Sequence, residues 1–112
     1  MIDADAILEV ISIYQKHGWI LRRVLLSSAL NERLANGKDA IFGDVPIIES
    51  AVDAAWFSRP PKSGGVPWEL RYLGDLPFAL LENIDENDAE FENSLKAVEA
   101  RLGESVIAKE TA

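Results

Sequence analysis

Asp53, Glu69 and Arg71 are the residues of this 112-residue chain whose types and spacing best suit catalysis. An aspartate on one strand and a Glu-Leu-Arg triplet on the next supply two hard oxygen ligands for a divalent cation. The guanidinium beside them would stabilise a developing phosphorane or position the attacking water, which is the chemistry of metal-assisted phosphodiester hydrolysis. Other constellations are poorly supplied. The chain has no cysteine and a single histidine, His17, which removes disulfides, thiol nucleophiles, thiolate zinc sites and multi-histidine centres. Ser58 or Ser63 would need that same histidine as a base. Asn36-Gly37-Lys38-Asp39 lacks the second spaced glycine and the Lys-Ser/Thr pair of a phosphate loop. The acidic run 85–92 lacks the ordered ligands and glycine turn of a calcium loop. No cofactor is expected, no metal ligand is assigned, and Asp53, Glu69 and Arg71 stand as an alternative catalytic set.

The same segment offers a second reading. Trp56, Phe57, Arg59 and Arg71 combine aromatic rings with guanidinium groups, the residue types that dominate interface hot spots. Alternation sends Trp68, Leu70 and Tyr72 to a core and Glu69 and Arg71 to the opposite face, and Asp53, Phe57 and Arg59 share the parity of that second face. Between the strands runs a stiff Pro60–Pro67 loop whose Lys62-Ser63-Gly64-Gly65 tip presents backbone donors to an anion. The commoner fate of such charges is a cross-strand ladder in which each opposite pair contributes about 0.2–1 kcal/mol. The commoner fate of such rings is a core whose faces are covered by arginines.

The elements that position these residues follow from periodicity. Ile7, Val10, Ile11 and Tyr14 form one stripe of a helix over 3–16, with Lys16 and His17 at its negative end and Gly18 as its stop. Trp19–Leu26 is apolar on both sides and reads as a central strand. Ser27 or Ser28 caps a short helix over 29–35 that stops at Asn36-Gly37, and 38–44 reads as a loop. Ile48–Arg59 is expected as one strand, Trp68–Tyr72 as its return partner, Gly74-Asp75 as a tight turn and Phe78–Ile84 as the last strand. Asn87-Asp88-Ala89-Glu90 resembles a capping box before a helix that carries Phe91, Leu95, Val98 and Leu102 and closes at Gly103, leaving 104–112 as a frayed tail. The expected fold is a single α+β domain over 1–112. Its antiparallel sheet has about four strands in a two-layer sandwich with N-terminal and C-terminal amphipathic helices.

The Asp53 and Glu69-Leu70-Arg71 pattern resembles in part the PD-(D/E)xK nuclease superfamily, which implies a Mg²⁺-dependent phosphodiesterase with Glu9 where that family often has a helical acid. Three features depart from the family pattern. Arg71 replaces a lysine and cannot act as a base, no proline precedes Asp53, and a short hairpin follows the Glu-Leu-Arg strand instead of a crossover helix.

Nineteen acids against eleven bases give a net charge of −8, which makes nucleic acid an unfavourable partner. Every apolar run is broken far short of the roughly 18 residues that a membrane span needs. The acidic start lacks the basic flank of an export signal, so a cytoplasmic location is expected. The function these observations favour is a non-catalytic protein-binding or assembly module working through Trp56, Phe57, Arg59 and Arg71, with a protein partner or a second copy as its ligand. The alternatives are the phosphodiesterase built on Asp53 and Glu69 and a structural homodimer subunit.

Overall fold

The computed structural model describes residues 3–60 and 66–111, so the Lys62-Ser63-Gly64-Gly65 tip lies outside the described residues. The first helix, α1 (Ala4–Lys16), starts where the Asp3 carboxylate accepts the Ala6 N–H at 2.9 Å and turns Ile7 and Ile11 inward. It ends as expected. The His17 Nδ1 lies 2.8 Å from the Ile13 carbonyl, so Nδ1 carries the proton, and Gly18 takes the left-handed φ of +89° that a side chain would resist.

Strand β1 (Ile20–Leu26) leads to α2 (Ser28–Leu34), a 3₁₀ turn at Ala35–Gly37 and α3 (Lys38–Phe42). The last of these replaces the loop expected over 38–44. Asn36-Gly37 bends the helical path without ending it, and Ile41 and Phe42 anchor the extra turn in the core. The single strand expected over 48–59 is two strands, β2 (Ile47–Glu49) and β3 (Ala54–Ser58). β2 lies parallel to β1 on one side and β3 lies antiparallel on the other. Residues 50–53 carry the chain across the end of β1, where the Ser50 N–H donates to the Leu26 carbonyl at 3.0 Å. β4 (Pro67–Tyr72) and β5 (Ala79–Asn83) complete a mixed five-stranded sheet in the order β2-β1-β3-β4-β5, and α4 (Phe91–Thr111) follows.

The α+β class is as expected, but the helices cover both faces of the sheet rather than one. Ile7, Ile11, Leu30, Leu34, Ile41 and Phe42 pack on Leu21, Ala55 and Phe57 on one side. Leu95, Val98, Leu102 and Val106 pack on Leu25, Ala54, Trp56, Trp68 and Leu70 on the other. A central strand with apolar residues on both faces needs two covers, and β3 carries Ala54, Ala55, Trp56 and Phe57 and is buried along its whole length. Val106 extends the α4 stripe by one more turn beyond Leu102, which is why the helix runs through Gly103 to Thr111 where a frayed tail was expected.

Adjacent arginines in a strand should point to opposite faces, yet Arg22 and Arg23 both serve the α4 side. The register shifts between Leu21 and Arg23, so Arg22 is the extra residue of a β-bulge. Arg22 stacks 4.7 Å from the Trp68 ring centre, donates to Ser58 Oγ at 3.0 Å and forks onto Glu86 at 3.0 and 2.6 Å. Arg23 lies 5.9 Å from the Phe91 ring centre and forks onto Glu92 at 3.0 and 3.1 Å. Hydrogen bonds from these guanidinium groups hold the Glu86 and Glu92 carboxyls below their usual range. Two arginines thus pin the approach to α4, and Trp68, whose Nε1 has no hydrogen-bond partner among the described residues, is sealed beneath one of them.

Candidate functional site

The β3–β4 register separates the carboxylates proposed as a metal pair. Phe57 lies opposite Glu69 and Ala55 opposite Arg71, while the Leu73 N–H donates to the Asp53 carbonyl at 2.8 Å. Asp53 therefore sits level with Leu73, four positions along from Glu69, which at roughly 3.3 Å per residue is about 13 Å. Each group also has other duties. The Asp53 carboxylate accepts the Ser27 N–H at 2.6 Å and the Ser27 hydroxyl at 3.2 Å, and Ser27 Oγ in turn accepts the Leu30 N–H at 3.3 Å as the cap of α2. Glu69 accepts the Tyr14 hydroxyl proton in a short hydrogen bond. Arg71 donates to the Tyr72 carbonyl at 2.8 Å, and Glu9 is exposed on α1. Among the described residues no group of three or more histidine or acidic side chains could hold a metal ion.

The aromatic half of the proposed patch is interior. Trp56 is fully buried on the α4 side, its Nε1 donating to Glu99 at 2.9 Å and its ring meeting Trp68 edge-on at 5.9 Å. Phe57 is fully buried on the other side, stacked on Tyr14 with ring centres 4.2 Å apart. Arg59 is half-buried over Trp19 at 4.6 Å and caps the end of α1 through the His17 carbonyl. Trp19 was read as the start of a strand; it acts instead as a platform for that guanidinium.

Burial, with the hydrogen bond to the Glu69 carboxylate, pushes the Tyr14 phenol well above its ordinary value. Because the folded value is raised, neutral Tyr14 contributes stability fully at pH below about 10, and the contribution is lost as pH rises toward the folded value. In an ultraviolet titration, native protein should ionise Tyr14 only with unfolding, and Tyr14→Phe should flatten the loss of stability above pH about 10. Ionisation of both tyrosines at their ordinary pH without unfolding would contradict the Tyr14–Glu69 bond.

Two surfaces stand out as candidates for function. The first is the open half of the face that α1 only partly covers. α1 lies against β1 and β3, its Tyr14 reaches as far as Glu69, and beyond it Ala79, Leu81 and Asn83 of β5 are exposed, Leu81 at 61%. The Arg59 N–H bonds to the Pro67 carbonyl at 3.1 Å and the Tyr72 N–H to the Phe78 carbonyl at 2.8 Å. These two bonds set the alternation, so the even-numbered residues of β5 bond back to β4 and the main-chain groups of Ala79, Leu81 and Asn83 point out of the sheet. The other edge, β2, is three residues long, follows Pro46 and contains Glu49. β5 is longer, and although Pro77 precedes it and it contains Glu82, that residue bonds back to β4 and pairs with Arg101, so neither feature occupies the outward positions 79, 81 and 83.

The second surface is a cleft of about 370 Å³ between α4 and the 50–53 crossover, walled by Val52, Asp53, Tyr72, Glu99, Gly103 and Ile107. Gly74 places one wall: a Cβ there would lie 2.2 Å from the Tyr72 Cζ, so the ring can lie against the chain only because residue 74 has no side chain. Asp53 was legible as a chemical residue. Glu99 was not, because its spacing on a helix surface resembles that of any solvated acid.

The class this architecture defines is a mixed α+β domain with helices on both faces and one open sheet edge. Comparison with protein families, with curated proteins and with solved structures finds no match, so function is argued from these two surfaces alone. Among the described residues, no helix is long and apolar enough to cross a membrane.

Proposed function

We propose that this chain is a non-catalytic assembly module that pairs the free edge of β5 with the same edge of a second copy. The observation that carries the reading is the edge itself, five residues long, with Ala79, Leu81 and Asn83 turned outward and Leu81 exposed at its centre. Natural sheets blunt such edges with charge, proline, bulges or a covering element. The edge is also self-complementary. A two-fold antiparallel pairing centred on Leu81 sets Leu81 against its own copy and Ala79 against Asn83 of the second copy, which are the positions whose main-chain groups face outward. No like charges meet in that register. On the open face the opposed side chains are uncharged, and on the other face Leu80 meets Glu82, whose carboxylate lies 3.6 Å from Arg101. Arg71 and Glu69 then flank the joint as its polar rim, so the sequence reading of Arg71 as a contact residue is kept, with Trp56 and Phe57 serving as the core beneath.

Sedimentation equilibrium tests the proposal. The native chain should show dimer mass, and Leu81→Lys, which places two ammonium groups at the centre of the joint, should give monomer with an unchanged far-ultraviolet spectrum. Leu81→Cys should oxidise to a cross-linked dimer, because hydrogen-bonded antiparallel partners sit at about the 5.5 Å Cα separation a disulfide prefers. A native chain that is monomeric throughout, or a dimer indifferent to Leu81→Lys, would rule the edge out.

A further inference from the structure

We propose that the cleft between α4 and the 50–53 crossover binds a small organic cation, an ammonium group carried on a compact apolar body. The site is independent of the β5 edge. Its volume of about 370 Å³ lies within the range of small-molecule pockets, and its walls combine apolar surface with a few convergent polar groups. Val52, Val106 and Ile107 supply the apolar surface, Asp53 lies on the crossover wall and Glu99 on the helix wall. None of the described residues lining the cleft is basic.

The lining chemistry selects the ligand's charge. Glu99 is half-buried and accepts one hydrogen bond, from Trp56 Nε1 through Oε2, which leaves its other oxygen's lone pairs for a donor. Asp53 lines the crossover wall, but its carboxylate is occupied by the Ser27 N–H and hydroxyl, so Glu99 is the acid that the cleft offers. An anion entering here would meet the Glu99 carboxylate and no basic group among the described lining residues, whereas an ammonium would meet that carboxylate beside the Tyr72 ring. A divalent metal is a poor fit, since hard cations need more oxygen ligands than these walls offer and no such group is assembled among the described residues. Gly103 keeps the cleft open, because nothing lies within 4 Å of where its Cβ would be, and the same glycine makes it easy to fill.

The test is an amide-resolved NMR titration of the full chain with benzylammonium, cyclohexylammonium and tetramethylammonium, with benzyl alcohol and benzoate as controls of similar body. At least one cation should give saturable shifts confined to Val52, Tyr72, Gly103 and Ile107, and should bind about tenfold or more tightly than the neutral control. Glu99→Gln, whose amide oxygen can still accept from Trp56, should weaken that binding about tenfold, and Gly103→Leu should abolish it. Native thermal unfolding of each variant separates loss of the site from loss of the fold. No saturable shift with any of the three cations, equal binding of the neutral or anionic control, or binding indifferent to Glu99→Gln and Gly103→Leu would each overturn the proposal.

Discussion

Trp56→Ala is expected to lower the free energy of unfolding by about 3–5 kcal/mol, a large share of the roughly 5–15 kcal/mol that holds a domain together. The indole is fully buried on a central strand, so truncation opens a cavity between β3 and α4 that the neighbouring strands can close only in part. It also strips Glu99 of the N–H it accepts at 2.9 Å. Trp56→Phe keeps much of the volume and loses that donor, so it should cost less than the alanine variant. Urea unfolding followed by far-ultraviolet circular dichroism gives both values. A recognition residue would behave in the opposite way, with stability nearly unchanged and association lost. An alanine variant as stable as the native chain would return Trp56 to the surface.

Asp53→Ala is expected to cost about 1.5–3 kcal/mol, the range for a hydrogen bond to a charged group. The carboxylate accepts the Ser27 N–H at 2.6 Å and so ties the start of α2 to the crossover that lets the chain pass from one side of β1 to the other. Removing it leaves a part-buried N–H without its acceptor. Asp53→Asn retains an acceptor oxygen and should recover part of the loss. Ser27→Ala should be non-additive with Asp53→Ala, because the two side chains share one hydrogen-bonded unit. This separates the structural role from the catalytic one. Two carboxylates crowded at an empty metal site repel each other, so deleting one would leave the metal-free protein as stable or more stable. A neutral or stabilising Asp53→Ala would show that the Asp53–Ser27 bond does not hold α2 to the crossover.

Local signals were legible where a single physical rule acts on adjacent residues. The stripe from Ile7 to Tyr14, the Gly18 stop and the alternation of Trp68, Leu70 and Tyr72 all appear in the fold in the roles their spacing implies. What escaped depends on non-local geometry. Parity can be counted straight through from Ile48 to Ser58, so it does not by itself mark the four residues that leave β2 and cross to β3. Parity put Asp53, Glu69 and Arg71 on one face, but parity is silent on distance along the strands, which the hairpin register sets. Phe57 and Trp56 read as patch or core until the second helical layer is known, and that layer exists because Ala54, Ala55, Trp56 and Phe57 make β3 apolar on both faces. Arg22-Arg23 carried the one local clue to the bulge, since two neighbouring charges in a strand with two covered faces cannot both alternate without burying one of them. The openness of the β5 edge is a property of strand order, which composition and spacing do not encode.

The two faces of the sheet differ in when their covers become available along the chain. α1, α2 and α3 precede β3 and β4, so the side holding Phe57 has its roof made before its floor is complete. The side holding Trp56 and Trp68 has only α4, which follows every strand. For a chain growing from its N-terminus, the two largest side chains of the core remain in water until the last helix is made, and the burial of both indoles becomes a single late event rather than a gradual one.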